Sequence, residues 1–187
     1  MTTDELIKKI RKRADNPKRR SSASHFALER FKYDPRWSMA YPPVPAAQVQ
    51  QAEAKLGFQL PTLLARLYVE VGNGGFGPGY GLFGLEGGFV DEDSRLTLPD
   101  LYASWANPPA GTLSFPPWPE KLVPICDWGD SIMSCVDCST SMGSMVFALD
   151  PLSRTPEDLT FDQWIEDWVQ GVDLFKRAMG SRRKKRR

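Results

Sequence analysis

No stretch of this chain approaches the roughly 18 consecutive apolar residues that a membrane-spanning helix needs. The opening residues, MTTDELIKKIRKR, are too charged for a secretory signal. The expectation is therefore a cytoplasmic protein with no membrane partner. Histidine is almost missing. His25 is the only one, so any triad, dyad or histidine-containing metal site would have to recruit it from the N-terminal segment. The three cysteines are an odd and small number, which fits reduced thiols rather than a disulfide framework. The glycine-rich run FGPGYGLFGLEGG has no Lys-Ser/Thr pair and does not join a parallel strand to a helix, so it is not a phosphate-binding loop. Asp91, Glu92 and Asp93 lack the spacing of a calcium-binding loop and read as an exposed acidic loop. With so many devices of catalysis missing, the expectation is a protein that is not an enzyme and uses no cofactor or metal.

What is present is charge, unevenly placed. Residues 1–36 hold 11 Lys/Arg against 5 Asp/Glu, residues 37–175 hold 5 against 18, and residues 176–187 hold 8 against none. An acidic body with two basic ends lies behind a net charge of only +1. The body favours cationic partners and the ends favour anionic ones.

Hydrophobic periodicity sets the organisation. Leu6, Ile7 and Ile10 form one face of a short N-terminal helix, but the surrounding lysines and arginines suggest an arm rather than core. A second short helix is expected from Ser24 to about Phe31. YPPVP at Tyr41–Pro45 is a stiff connector, with the domain boundary in or just before it. The division expected is a basic arm and connector over 1–45, a folded domain over 46–179 and a basic tail over 180–187.

Val49, Ala52 and Leu56 give a helix over Ala46–Leu56, stopped by Gly57. Pro61 suits position N1 of a second helix, whose apolar face includes Leu63, Leu64, Leu67 and Tyr68. Asn73-Gly74-Gly75 can take positive φ and turn the chain. A short strand is expected around Tyr80–Leu85, a helix over Leu98–Trp105, and an irregular proline-rich loop over 106–120. Three strands follow, Leu122–Cys126, Ser131–Asp137 and Ser144–Leu149, with turns at Asp127–Asp130 and Thr140–Gly143. Thr160 and Gln163 form a capping box for a final helix. Its stripe of Phe161, Trp164, Ile165, Trp168, Val172 and Phe175 runs on to a stop at Gly180. The fold class expected is α+β, a single antiparallel sheet of short strands with helices packed on it.

Cys135-Val136-Asp137-Cys138 is a C-x-x-C pair. It lies at a strand end and not at a helix N-terminus, which favours structural thiols over a redox site. A zinc site would need two further ligands, for which Cys126 and His25 are the candidates.

The order of elements resembles the SUKH superfamily, the Smi/Knr-like domain. The resemblance rests on Glu53, Leu56-Gly57, Leu60-Pro61, Asn73-Gly74-Gly75, the turn at Asp127–Asp130, a strand from Val146 to Asp150, and the Thr160-Phe161-Asp162-Gln163-Trp164 helix start. It spans about residues 46–175. The basic arm, the basic tail and the proline-rich loop depart from the simplest members. The resemblance implies a non-catalytic binding domain. Many bacterial members act as immunity proteins that block a toxin, often a nuclease, and fungal members act as hubs in cell-wall signalling. Partner-binding residues differ between subfamilies, so none is carried across by position.

Charge supplies the candidate site. Glu86, Asp91, Glu92, Asp93, Asp130 and Asp137 could form an acidic face for a basic toxin domain, or could simply belong to an acidic soluble domain. The tail Arg182–Arg187 would give only weak, salt-sensitive contact with nucleic acid. The leading reading is an immunity protein that neutralises a nuclease-type toxin by stoichiometric binding. The other is a regulatory interaction scaffold whose basic ends meet nucleic acid or acidic partners.

Overall fold

Pro45 and Gly57 bracket helix α2, Ala46–Leu56, as their chemistry requires. Pro45 is extended at the N-cap, and Gly57 ends the helix at φ 83°. Val49, Ala52 and Leu56 face inward. The chain then turns into α3, Thr62–Glu70, with Pro61 at the N-cap, one position earlier than expected. That turn explains Glu53. Its carboxylate accepts the Leu60 N–H at 2.9 Å and pins the start of the second helix to the last turn of the first.

The computed structural model describes residues 1–14, 40–108, 116–150 and 153–185. Helix α1 is Thr3–Ala14, α4 is Leu98–Ala106, α5 is Phe161–Gln170 and α6 is Leu174–Lys185. Strands β1 Leu122–Asp127, β2 Met133–Asp137, β3 Ser144–Ala148 and β4 Arg154–Thr160 form one antiparallel sheet in the order β1-β2-β3-β4. The expected helix at Ser24–Phe31 and residue His25 lie outside the described residues. The fold is α+β, with a single sheet and helices packed on it.

The centre of the core is aromatic. Phe161, Trp164, Ile165 and Trp168 of α5 are 0–1% exposed, and they meet Leu64 and Leu67 of α3 in one continuous cluster. Each such burial contributes about 1.5–3 kcal/mol. The capping box holds as expected: the Gln163 N–H donates to Thr160 Oγ1 at 3.3 Å, and the Thr160 N–H donates to Gln163 Oε1 at 3.0 Å.

Helix α1 belongs to this core and is not a free arm. Leu6, Ile7 and Ile10 are 5%, 2% and 0% exposed. Its charges also dock: Asp4 pairs with Arg66 at 2.7 Å, and the Arg11 guanidinium donates to the Glu70 carbonyl at the end of α3. The connector is equally engaged. The Tyr41 N–H donates to Gly74 O and the Val44 N–H to Tyr68 O, both at 3.0 Å.

Three further expectations change. The long final helix is two helices. Gly171 sits at φ 86°, and the Val172 and Gly171 N–H groups return to Asp167 and Trp168, a Schellman stop that breaks the stripe before Val172 and Phe175. Asp173 then accepts the Lys176 N–H at 2.9 Å and caps α6. Gly180 lies inside α6 and does not end it. The strand expected around Tyr80–Leu85 is a single bridge, Leu82 to Cys126, within glycine-rich turns. A fourth strand, β4, closes the sheet. Its sequence, RTPEDLT, is polar and contains Pro156, which an edge strand tolerates.

Asn73 anchors the glycine-rich segment. It is 2% exposed, and its Oδ1 accepts the Leu85 N–H at 2.7 Å while its Nδ2 donates to Glu86 O at 3.0 Å. Gly74 and Gly75 supply the positive φ, both at 79°, whereas Asn73 serves through its side chain.

Candidate functional site

The loop over residues 76–90 is pressed against the β1–β2 turn. The Tyr80 N–H donates to the Asp127 carbonyl at 2.8 Å. Gly79, at φ 57°, approaches that carbonyl so closely that a Cβ would stand 2.2 Å from it. The turn is held by the Asp127 carboxylate, which accepts the Gly129 N–H at 2.7 Å, and by the Trp128 N–H on Ile132 O at 2.8 Å. Gly129, Asp130 and Ser131 all take positive φ, which tilts Asp130 out into solvent as an exposed residue.

The acidic loop joins this turn. Asp91 is 4% exposed rather than solvated. Its Oδ2 accepts the Ser94 N–H at 2.8 Å and the Ser94 hydroxyl at 2.6 Å, so it closes the loop as a turn residue. Glu92 and Asp93 stay exposed. Burial holds the Asp127 carboxyl above its ordinary range, with Asp91 and Asp93 adding to the effect against the Gly129 N–H. Burial, then Asp127, Glu92, Asp130 and Asp93, raises the phenol of Tyr80. Four carboxylates thus act on one partly buried tyrosine.

Trp128 stands in the same turn. Its indole N–H donates to Ser134 Oγ at 3.0 Å, and its ring lies 5.5 Å from that of Phe175. Tyr80 and Trp128 are both partly exposed, and tyrosine and tryptophan are residue types enriched at protein-binding hot spots. Periodicity along the chain does not connect residues 80, 91 and 128, so Tyr80, Trp128 and Asp127 were not among the sequence-derived candidates. An aromatic residue beside glycine in each of the two turns is the signal that could have raised them.

The other two candidate residues lie elsewhere. Glu86 borders a separate groove of about 300 Å³ lined both by polar residues such as Gln48, Lys55 and Asp100 and by Ala52, Leu85 and Pro99. Its carbonyl accepts Gln48 Nε2 at 2.6 Å. Asp137 is at the opposite end of β2 from the turn, where its Oδ1 accepts the Ser139 N–H at 2.9 Å and the Ser139 hydroxyl at 2.6 Å.

The thiols are packing groups. Cys126, Cys135 and Cys138 are free and buried. Burial pushes the Cys138 thiol up to about 12 and raises Cys126 and Cys135 as well, so little nucleophilic thiolate forms near neutrality. Among the described residues, no three His, Cys, Asp or Glu side chains are placed to hold a metal ion. Among the same residues, no helix is long and apolar enough to cross a membrane.

No curated protein and no solved structure matches this chain. The model of the SMI1 / KNR4 family (SUKH-1) matches residues 43–167, from the connector through most of α5. That span is well over half of the sequence and contains the Glu53 latch, the Asn73 anchor, the whole sheet and the Thr160 capping box. The chain belongs to the SMI1 / KNR4 family (SUKH-1).

Proposed function

We propose that this protein is a non-catalytic, cytoplasmic binding protein of the immunity type, which neutralises a basic, nuclease-type toxin by covering it stoichiometrically. The observation that carries the reading is the acidic and aromatic patch of Tyr80, Trp128, Glu92, Asp93 and Asp130, with Asp91 and Asp127 behind it. Family membership supports a binding role. A nuclease must present positive charge to nucleic acid, so an acidic surface on a rigid frame competes for the same face and accelerates the encounter.

The test is capture from the native cell with the full chain and with the Glu92→Gln/Asp93→Asn/Asp130→Asn variant. All three residues are exposed, so the fold should survive. A basic protein retained by the parent and lost by the variant supports the reading. Equal retention by both removes this patch as the site.

A second reading has an observation of its own. Helix α6 continues to Lys185, so the basic run from Arg182 begins as an extension of a docked helix. A regulatory scaffold would use that end to meet nucleic acid or acidic partners, with affinity that falls steeply as salt rises.

A further inference from the structure

Helix α1 presents Lys9, Lys12 and Arg13 along one flank, at spacings of three and four residues. With Val169 of α5 they line a groove of about 260 Å³. Arg13 is the unusual member. It is only 9% exposed, with its guanidinium 5.1 Å from the centre of the Trp168 ring. One of its nitrogens, Nη1, donates to the Val169 carbonyl at 3.2 Å. Nε and Nη2 are buried and have no hydrogen-bond acceptor among the described residues. Burial also lowers the pKa of this guanidinium.

A buried guanidinium with two unmet donors is costly, and native proteins rarely leave donors in that state. Stacking on Trp168 offsets part of the cost. It does not satisfy the in-plane Nε and Nη2 donors, whose fork geometry matches two oxygens of one oxyanion. Among the described residues, neither Lys9 nor Lys12 takes part in an ion pair, although the Thr2 hydrogen bonds and, after them, the nearby Lys9 lower the Glu5 carboxyl pKa. Glu5, one turn before Lys9, accepts the Thr2 N–H at 2.9 Å.

We infer that the groove between α1 and α5 is an oxyanion site that takes a phosphate group, with Arg13 as its forked donor and Lys9 and Lys12 as its rim. Three cations around one small groove match a dianion better than a single carboxylate. Arg13 closes the α1–α5 contact through Nη1 and keeps its remaining donors for the ligand. The site lies on different elements from the acidic patch and stands independently of the toxin-binding reading.

The test is an NMR titration of the full chain that follows the Arg13 Nε–H resonance at fixed ionic strength. The probes are inorganic phosphate and methyl phosphate, with chloride as the reference. Direct observation of Nε matters because phosphate stabilises many proteins by exclusion from their surface. The expected result is a saturable shift with phosphate, and half-saturation at about tenfold higher concentration in Lys9→Ala/Lys12→Ala, which removes two rim charges. These lysines are exposed, so the variant tests the site without removing the buried Arg13. Tighter binding of methyl phosphate would assign the site to an esterified phosphate, and equal or tighter binding of the inorganic ion to free phosphate. An Nε–H that does not move, or an unchanged half-saturation in the double variant, overturns the inference and leaves Arg13 as a clamp between two helices.

Discussion

Replacing Asn73 with alanine tests how the segment that supports the acidic patch is held. The Asn73 Oδ1 is the acceptor for the buried Leu85 N–H, at 2.7 Å. Removing it leaves that N–H unmet, which costs about 1–3 kcal/mol. The Glu86 carbonyl loses the Asn73 Nδ2 but keeps Gln48 Nε2 at 2.6 Å, so its share is small. The vacated space does not refill easily. Gly88 packs directly on the amide, where a Cβ would lie 2.4 Å from Asn73 Cγ, and it has no side chain to offer. The total expected is about 2–3 kcal/mol, a large part of the roughly 5–15 kcal/mol that stabilises a typical domain. Urea denaturation followed by tryptophan fluorescence should show a lower midpoint with an unchanged slope. Asn73→Asp sharpens the test. It keeps the acceptor for Leu85 but sets a carboxylate oxygen against the Glu86 carbonyl, so it should cost at least as much at pH 7. Part of that loss should return in acid, where the protonated group donates again. A loss below about 1 kcal/mol for Asn73→Ala would refute the reasoning.

Ile10→Ala should destabilise by about 2–5 kcal/mol because Ile10 is 0% exposed, and a loss under about 1 kcal/mol in urea denaturation would place α1 off the core. Thr160→Ala should cost about 1 kcal/mol, with Thr160→Ser close to the parent, since the hydroxyl alone accepts the Gln163 N–H. Glu157 gives a pH signature. Burial lifts its carboxyl from an ordinary 4.5 to about 7, with Arg177 acting in opposition. The folded state therefore binds this proton more tightly than the unfolded state. The associated stability is present below about pH 4.5 and is lost as pH rises through about 7. The full window corresponds to about 3 kcal/mol, of which about 1–2 should remain for a partly exposed group. Glu157→Gln should flatten this dependence and exceed the parent in stability at pH 8; a less stable variant there would count against it.

Local chemistry made much of the fold legible. The Ala46–Leu56 bounds, the Gly57 stop, the helix from Leu98 and the Thr160 capping box follow from residues whose preferences act within one turn. The parts that escaped depend on partners distant in sequence. Three apolar residues among many charges made α1 look peripheral, and packing against α3 and α5 turns that face into core. The stripe of the final helix ran through Gly171 because Phe175 is apolar for another reason: it packs on Trp128 and Phe147, near the sheet. β4 has little apolar alternation of its own and exists through its pairing with β3. At the candidate site, charge pointed to Asp91, Glu92, Asp93 and Asp130. Asp91 proved to be a buried turn closer, a role set by Ser94. Tyr80 and Trp128 join the acids only because the glycine-rich loop folds over the β1–β2 turn.

The most direct measurement is titration of the captured partner's nuclease activity with the full chain and with Glu92→Gln/Asp93→Asn/Asp130→Asn. Stoichiometric blockade requires activity to fall linearly to nothing at one equivalent of the parent, and the neutralised variant to leave most of it intact at that ratio. Inhibition by the variant equal to that of the parent, or loss of activity at far less than one equivalent, would contradict binding through the acidic patch as the mode of action.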